Sequence, residues 1–411
     1  MVTVITKSVE PNVANMIEQH AENMVEDIPK TGKIVVENKN DSLAGEYMSK
    51  PLTEKEKAAA SLLQDNFTAF LSKTHDIEPE ASIKSVLPTG IDLMDTILGG
   101  GFATKCNQVV GFPGAGKSAL VSKVLATGQK KWPGKFLGLY VDSEQSMSTE
   151  RLAQLGAGNP LIVPYSDDIT VEKIFKCVEG VCTFKEEHKE YMDTPSCIIW
   201  DSVANTLTDK GMDSEEVKSV LGQKAATLSF NLPKYVSKLN KYNICLLCVN
   251  QLRDKIEMGM THTPPTLKFL ADKNIPGGNS LLYNSFQLVI VRQSATLKEY
   301  GFDGVRVLMR TIKNKLFTPN IEISMIFSFQ HGFSNFWTNY ELLKDNKRIT
   351  ASGAWMTLNN YDGKKFQQKN AIQLYQELPE FRAAWDSGVK ETLQTEYRDK
   401  YKFDLTNPDI F

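Results

Sequence analysis

The segment Gly111-Phe112-Pro113-Gly114-Ala115-Gly116-Lys117-Ser118 constrains this chain more than any other. It has the form G-x-x-x-x-G-K-[ST], follows the strand-like Gln108-Val109-Val110, and opens a helical stretch over 117–128. Glycines at 111, 114 and 116 let successive backbone N–H groups turn inward, where they can meet phosphate oxygens. The start of the helix adds partial positive charge at the same place. Lys117 is placed to reach the β- and γ-phosphates and Ser118 to ligate Mg²⁺, so the run from Gly111 through Ala119 predicts a site for ATP with Mg²⁺.

The pattern around this loop is apolar strands alternating with amphipathic helices. Strands are predicted at 107–111, 136–142, 160–164, 196–201, 243–250, 285–293, 304–311 and 320–328, and helices at 117–128, 149–156, 169–187 and 220–241. That alternation specifies an α/β fold with a mostly parallel twisted sheet and helices on both faces. The last strands follow one another without helices, which predicts an antiparallel extension at one edge. The expected organisation is an acidic, partly disordered extension at 1–50, an oligomerisation arm at 51–82, the ATPase core at 83–335 and a small C-terminal domain at 336–411.

Residues 1–80 hold fourteen acids against eight lysines, although the whole chain is nearly balanced at a net −2. Within them, 53–73 predicts a helix with Thr53 and Glu56 as a capping box and Leu62, Leu63, Phe67, Phe70 and Leu71 on one stripe. The region after 340 is polar and reads as helix-prone. No apolar run is long enough to span a bilayer and the first residues, MVTVITKSVEPN, hold no signal-like core, so a soluble cytoplasmic protein is expected. Cys245 and Cys248 stand as C-x-x-C, but in strand context they point to opposite faces, which makes them core residues and not a metal pair.

A phosphate loop needs an acidic partner on a neighbouring strand. Cys197-Ile198-Ile199-Trp200-Asp201 ends in a carboxylate that would face the metal at the sheet's carboxyl edge; the alternative use of Asp201 is as a helix cap. A second acidic strand end, Val141-Asp142-Ser143-Glu144, offers a group to orient or deprotonate the attacking water. Strand alternation leaves Glu144 and Asp142 as rivals for that role.

Several further motifs share one order with these: Thr89-Gly90-Ile91-Asp92, the phosphate loop, Asp142-Ser143-Glu144, Trp200-Asp201-Ser202-Val203-Ala204, Asn250-Gln251-Leu252-Arg253, Gly277-Gly278-Asn279 and Ile312-Lys313-Asn314-Lys315. Together, over roughly 83–330, they resemble the bacterial RecA recombinases, and the divergent loops and aromatic C-terminal region look more like phage recombinases of the UvsX type. The resemblance implies that Glu144 is the catalytic glutamate. It implies that Gln251 senses the γ-phosphate, and that Lys313 and Lys315 reach the ATP of a neighbouring subunit. Where the family has a tyrosine near the adenine, this chain has Arg151, whose guanidinium plane can also stack on a base.

Segments 208–222 and 254–276 are polar and aperiodic, and long loops of this kind are generally functional or disordered. Their residues alone fit a surface loop or a DNA contact equally well; the resemblance implies DNA. The expected contacts are Lys210, Lys218, Lys224, Arg253, Lys255 and Lys268 on phosphates, Phe269 or Met258 between bases, and the Gly277-Gly278 junction. The implied partners are single-stranded DNA, a homologous duplex and further copies of the chain in a head-to-tail helical filament, with single-strand-binding and mediator proteins beyond them. A hexameric helicase, or a recombination mediator or annealing protein, would use a similar core. The first should carry a large N-terminal collar, and the second has no need of an intact Lys117, Ser118, Glu144 and Asp201.

Overall fold

The computed structural model describes residues 54–75, 83–158, 162–165, 169–212, 222–254, 273–298, 300–362 and 364–401. The chain divides at Phe67, inside helix α1 (Glu54–His75), and the sheet belongs to the larger unit, Thr68–Phe411. On α1, Leu62, Leu63 and Phe67 are exposed. Thr53 of the expected capping box, and the expected extension at 1–50, lie outside the described residues.

In the larger unit α2 (Asp92–Leu98) precedes β1 (Cys106–Gly111), and α3 (Lys117–Lys131), β2 (Leu137–Asp142), α4 (Thr149–Gln154) and β3 (Ile162–Tyr165) follow. Next come α5 (Val171–Glu187), β4 (Ser196–Asp201), α6 (Gln223–Lys241) and β5 (Ile244–Gln251). The sheet is completed by α7 (Gly278–Asn284), β6 (Gln287–Leu297), β7 (Gly304–Asn314), β8 (Glu322–Ser328) and β9 (Gly332–Ser334). The nine strands lie in the order β9-β8-β7-β6-β1-β5-β4-β2-β3. From β6 to β3 every neighbour is parallel, and β7, β8 and β9 add the antiparallel edge.

The central strands are near-continuous apolar runs because both faces are covered. Alternate residues feed opposite clusters: Cys245, Leu247 and Val249 of β5 enter one, Leu246 and Cys248 the other. The two cysteines thus back onto different layers, as their spacing in a strand requires. Among the described residues no helix is long and apolar enough to cross a membrane.

Beyond the sheet, α8 (Asn335–Asp345) leads into a three-stranded antiparallel sheet, β10 (Ile349–Ser352), β11 (Trp355–Leu358) and β12 (Lys365–Phe366), and then α9 (Pro379–Leu393). The helix-prone reading of this region is corrected here: its strands are four, four and two residues long, too short for alternation to show in sequence. Trp385 of α9 stacks on Phe336 of α8 with centroids 4.6 Å apart. Residues of 336–401 join the same apolar cluster as the phosphate-loop side of the sheet.

Candidate nucleotide and DNA site

The register brings four strand ends to one edge. Gly111 pairs with Val291 and Gln251, and Asp142 pairs with Asp201. Gly111 is required by close approach, since a Cβ there would lie 2.4 Å from the Val291 carbonyl oxygen. Gly114 and Gly116 have φ of 75° and 87°, the left-handed conformation that turns the loop before α3 begins at Lys117. Phe112 is 41% exposed at the loop, while Ala115 and Ala119 are buried beneath it. An open cleft of about 240 Å³ is lined by Gly114, Gly116, Lys117, Ser118, Ala119 and Arg151.

Lys117 is buried and donates to the carbonyl of its own loop residue Phe112 at 2.9 Å. Burial lowers its pKa, and the charges of Asp201 and Glu144 oppose that shift. The Asp201 carboxylate is 4% exposed, accepts from the Tyr140 hydroxyl at 2.6 Å, and also takes the Ser118 hydroxyl. Burial raises its pKa, with the two hydroxyls working the other way. A desolvated carboxylate bonded to the hydroxyl of Ser118, which lines the cleft, is a donor set that a hard divalent cation takes, so the residues present fit Mg²⁺.

Asp142, the last residue of β2, and Glu144, two residues beyond it, differ in their partners. Asp142 is buried and accepts from the backbone N–H of Glu144, Ser146 and Met147 at 3.1, 2.8 and 2.7 Å, so it organises the following loop. Glu144 is exposed, and its Oε1 collects three donors: the Ser202 hydroxyl, Asn205 Nδ2 at 2.8 Å and Gln251 Nε2 at 3.0 Å. Those partners come from the ends of β4 and β5, so the structure brings Glu144 and Gln251 together directly.

Arg151, in the first turn of α4, lies at the mouth of the cleft and donates to the carbonyl of Phe329 at 3.1 Å. Phe329 is 47% exposed beside it and was missed in sequence, where it reads as the end of an edge strand. Lys313 and Lys315 are elsewhere. Lys313 pairs with Leu288, and Leu288 with Gln108, three residues below Gly111, or roughly 10 Å down the strand. Its ammonium donates to the carbonyls of Leu282 and Tyr283 at the end of α7, and Lys315 lies over the Phe286 ring. Neither reaches the phosphate loop of its own chain.

Of the expected DNA contacts, Lys210 and Arg253 are exposed, on the short helix Asp209–Met212 and the ribbon Arg253–Asp254 with Lys273–Asn274. Gly277 and Gly278 have φ of 100° and 73° at the start of α7. Lys218, Lys255, Met258, Lys268 and Phe269 lie outside the described residues. Lys224 departs from expectation: it is half-buried and its ammonium donates to the carbonyls of Val203 and Ala204 at 3.0 and 2.9 Å. Burial, with the charge of Arg253 nearby, brings its pKa down to about 8. A second surface was also missed. The outward face of the small sheet carries Thr350, Ser352, Thr357, Lys365 and Trp355, the last 48% exposed. Between 347 and 369 five basic residues stand against the single acid Asp362.

Over residues 71–334 the chain matches the RecA N-terminal domain family. It is similar to protein RecA of Aquifex aeolicus, 26% identical over 352 residues that cover 84% of this chain and 95% of that protein. Protein RecA of Geobacter metallireducens is 26% identical over 312 residues, 74% of this chain and 85% of that protein. Protein RecA of Synechocystis is 25% identical over 315 residues, 75% and 81% respectively.

Proposed function

This chain belongs to the RecA family, and from that premise we propose that it is a recombinase of the UvsX-like kind, a DNA-dependent ATPase that assembles head to tail on single-stranded DNA and pairs it with a homologous duplex. The observation that carries the proposal is the bond from Gln251 to Glu144. Gln251 ends the strand that runs directly into 252–276, so the group beside the nucleotide cleft is one hydrogen bond from the root of a DNA loop.

In this reading the phosphate loop and Lys117 hold the β- and γ-phosphates, and Ser118 with Asp201 would hold Mg²⁺, which would offset charge on the phosphates. Glu144 orients and deprotonates water. Its Oε1 is occupied by three donors, which holds the carboxylate in place and leaves Oε2 as the oxygen for water. Arg151 and Phe329 flank the base. Lys313 and Lys315, remote from their own phosphate loop, act on the ATP of the adjoining subunit. The exposed apolar residues of α1 dock on a neighbour, as a contact that does not close on itself gives an open filament. The protein works in the cytoplasm, that of a host cell if it is encoded by a phage, and meets single-strand-binding and mediator proteins there.

Electron microscopy with single-stranded DNA and a non-hydrolysable ATP analogue tests the proposal. Open helical filaments are the expected result. Closed rings would instead identify a helicase, and protein that binds nucleotide without assembling would identify a mediator or annealing protein.

A further inference from the structure

The turn from Ser202 to Asn205 meets the catalytic glutamate on one side and the returns of both DNA segments on the other. Ser202 and Asn205 give their side-chain donors to Glu144 Oε1. The two residues between them, Val203 and Ala204, give their carbonyls to Lys224. Lys224 sits in the first turn of α6, the helix that receives the chain from 213–221. At Gly277, where the chain returns from 254–276, a Cβ would stand 3.3 Å from Val203 Cγ1 and 3.3 Å from Leu228 of α6. The turn is itself held firmly to the sheet. Val203 N donates to the Val249 carbonyl at 2.9 Å, and the Ser202 backbone N–H donates to Ser143 Oγ at 2.9 Å.

An ammonium on two carbonyls is a charge-assisted tie stronger than a neutral pair. It also commits two of the three ammonium donors and turns the side chain toward the Val203–Ala204 backbone. A lysine reaching for DNA from this position would have to swing away from both carbonyls, whereas Lys210 and Arg253 face solvent already. We propose that Lys224 is a positioning residue that couples DNA occupancy to Glu144 through the Ser202–Asn205 turn. The inference rests on the functional reading above, and it assigns Lys224 to transmission instead of to DNA contact. When DNA shifts the start of α6, the tie carries the shift to Val203 and Ala204, and their neighbours in the turn redirect the carboxylate they hold.

The test compares ATP turnover with and without saturating single-stranded DNA in wild type, Lys224→Met, Lys224→Arg, Asn205→Ala and the Lys224→Met/Asn205→Ala double variant. DNA affinity is measured alongside, across a salt series, with a non-hydrolysable analogue bound. Lys224→Met is expected to lower the stimulation by DNA by about fivefold or more, with DNA affinity and its salt slope held within about twofold. Lys224→Arg, which still offers a cation with donors for both carbonyls, restores most of the stimulation. The double variant loses less than the product of the single losses, because both changes break one path. Three results overturn the inference. A weaker DNA affinity with a salt slope smaller by about one, and stimulation retained at saturation, would make Lys224 a phosphate ligand. Joint loss of unstimulated turnover and of thermal stability in Lys224→Met would make it a structural strut. Strictly multiplicative losses in the double variant would place Lys224 and Asn205 on separate paths. Wild-type protein whose turnover ignores DNA would overturn the functional reading itself and the coupling with it, an outcome visible before any variant is compared.

Discussion

Lys117 and Lys185 are buried ammoniums bonded to backbone carbonyls at opposite edges of one sheet. At the carboxyl edge Lys117 holds one carbonyl, that of Phe112 in its own flexible-backbone loop, with Asp201 and Glu144 near enough to raise its pKa against burial. At the amino edge Lys185, fully buried on α5, donates at 2.7 Å to both Thr194 and Tyr242, whose carbonyls precede the starts of β4 and β5. Burial takes Lys185 down to about 8. Lys313 follows the amino-edge pattern, capping the end of α7 with two carbonyls. The same side chain therefore does two jobs. Where two of its donors are held by the frame it fixes strand entry; where one is held, as at Lys117, two remain for the phosphate contact proposed above.

The largest effect expected from breaking this contrast is at Lys117. Lys117→Ala removes the cation from the phosphate loop, and ATP turnover should fall by at least ~10²–10³-fold with nucleotide affinity weakened too. The thermal stability of the nucleotide-free protein should barely change, because one loop carbonyl on the surface of a cleft can turn to water. Turnover by coupled assay and melting without nucleotide measure the two sides. Unchanged turnover would remove the phosphate-loop assignment.

How much of this was visible in the sequence depends on the range of the signal. The phosphate loop, the strand ending in Asp201 and the alternation of elements are local patterns, and each of the eight expected strands occurs with ends displaced by a few residues. Asp142 and Glu144 could not be separated by alternation, because what distinguishes them is a loop folding back to give Asp142 three N–H groups. Lys224 reads as one more loop lysine facing DNA until the turn after β4 is seen beneath it. Phe329 gains meaning only because the β8–β9 hairpin lies against the phosphate loop, where Gly116 has Phe333 and Phe327 as neighbours. In each case the missing information was pairing between distant segments, which a single chain does not display.

A middle-sized effect is expected from Lys313 and Lys315. Changing both to Ala should bring DNA-stimulated turnover down toward the unstimulated rate, a loss of roughly 5–150-fold if the coupling is of ordinary size. The intramolecular cap seen here predicts a second, separate loss of about 0.3–1 kcal/mol in stability, as for other cations at a helix C-terminus. Mixing this variant with Lys117→Ala discriminates the two. If the lysines serve the adjoining subunit, some junctions in the mixture hold an intact phosphate loop facing intact lysines, and activity partly returns. If the mixture stays as inactive as its parts while the proteins co-assemble, the amino-edge lysines are frame and nothing more, and the contrast between edges becomes absolute.

The smallest effect on turnover is expected at Lys185, and its signature is in the pH dependence of stability. The folded-state pKa of about 8 lies below the ordinary 10.5 of a lysine. Below pH 8 the ammonium is charged in both states, and its desolvation cost is fully present in the folded protein. Between about 8 and 10.5 the unfolded chain binds more protons than the folded one, so stability rises with pH across that window. Above it the group is neutral in both states and the cost is gone. The gain is at most about 3 kcal/mol, since each tenfold difference in proton affinity between the two states is worth ~1.4 kcal/mol. Burial is the main cause; Cys182 and Asp193 oppose it and Lys84 adds to it. Because tyrosines and other lysines titrate in the same range, the informative quantity is the difference in unfolding free energy between wild type and Lys185→Met at each pH. That difference should move in favour of wild type from pH 8 to 10.5, while turnover per folded molecule at pH 7.5 stays the same in both. A difference that is flat with pH would mean that the amino-edge ammonium is hydrated, and that the two edges of the sheet do not treat their lysines differently.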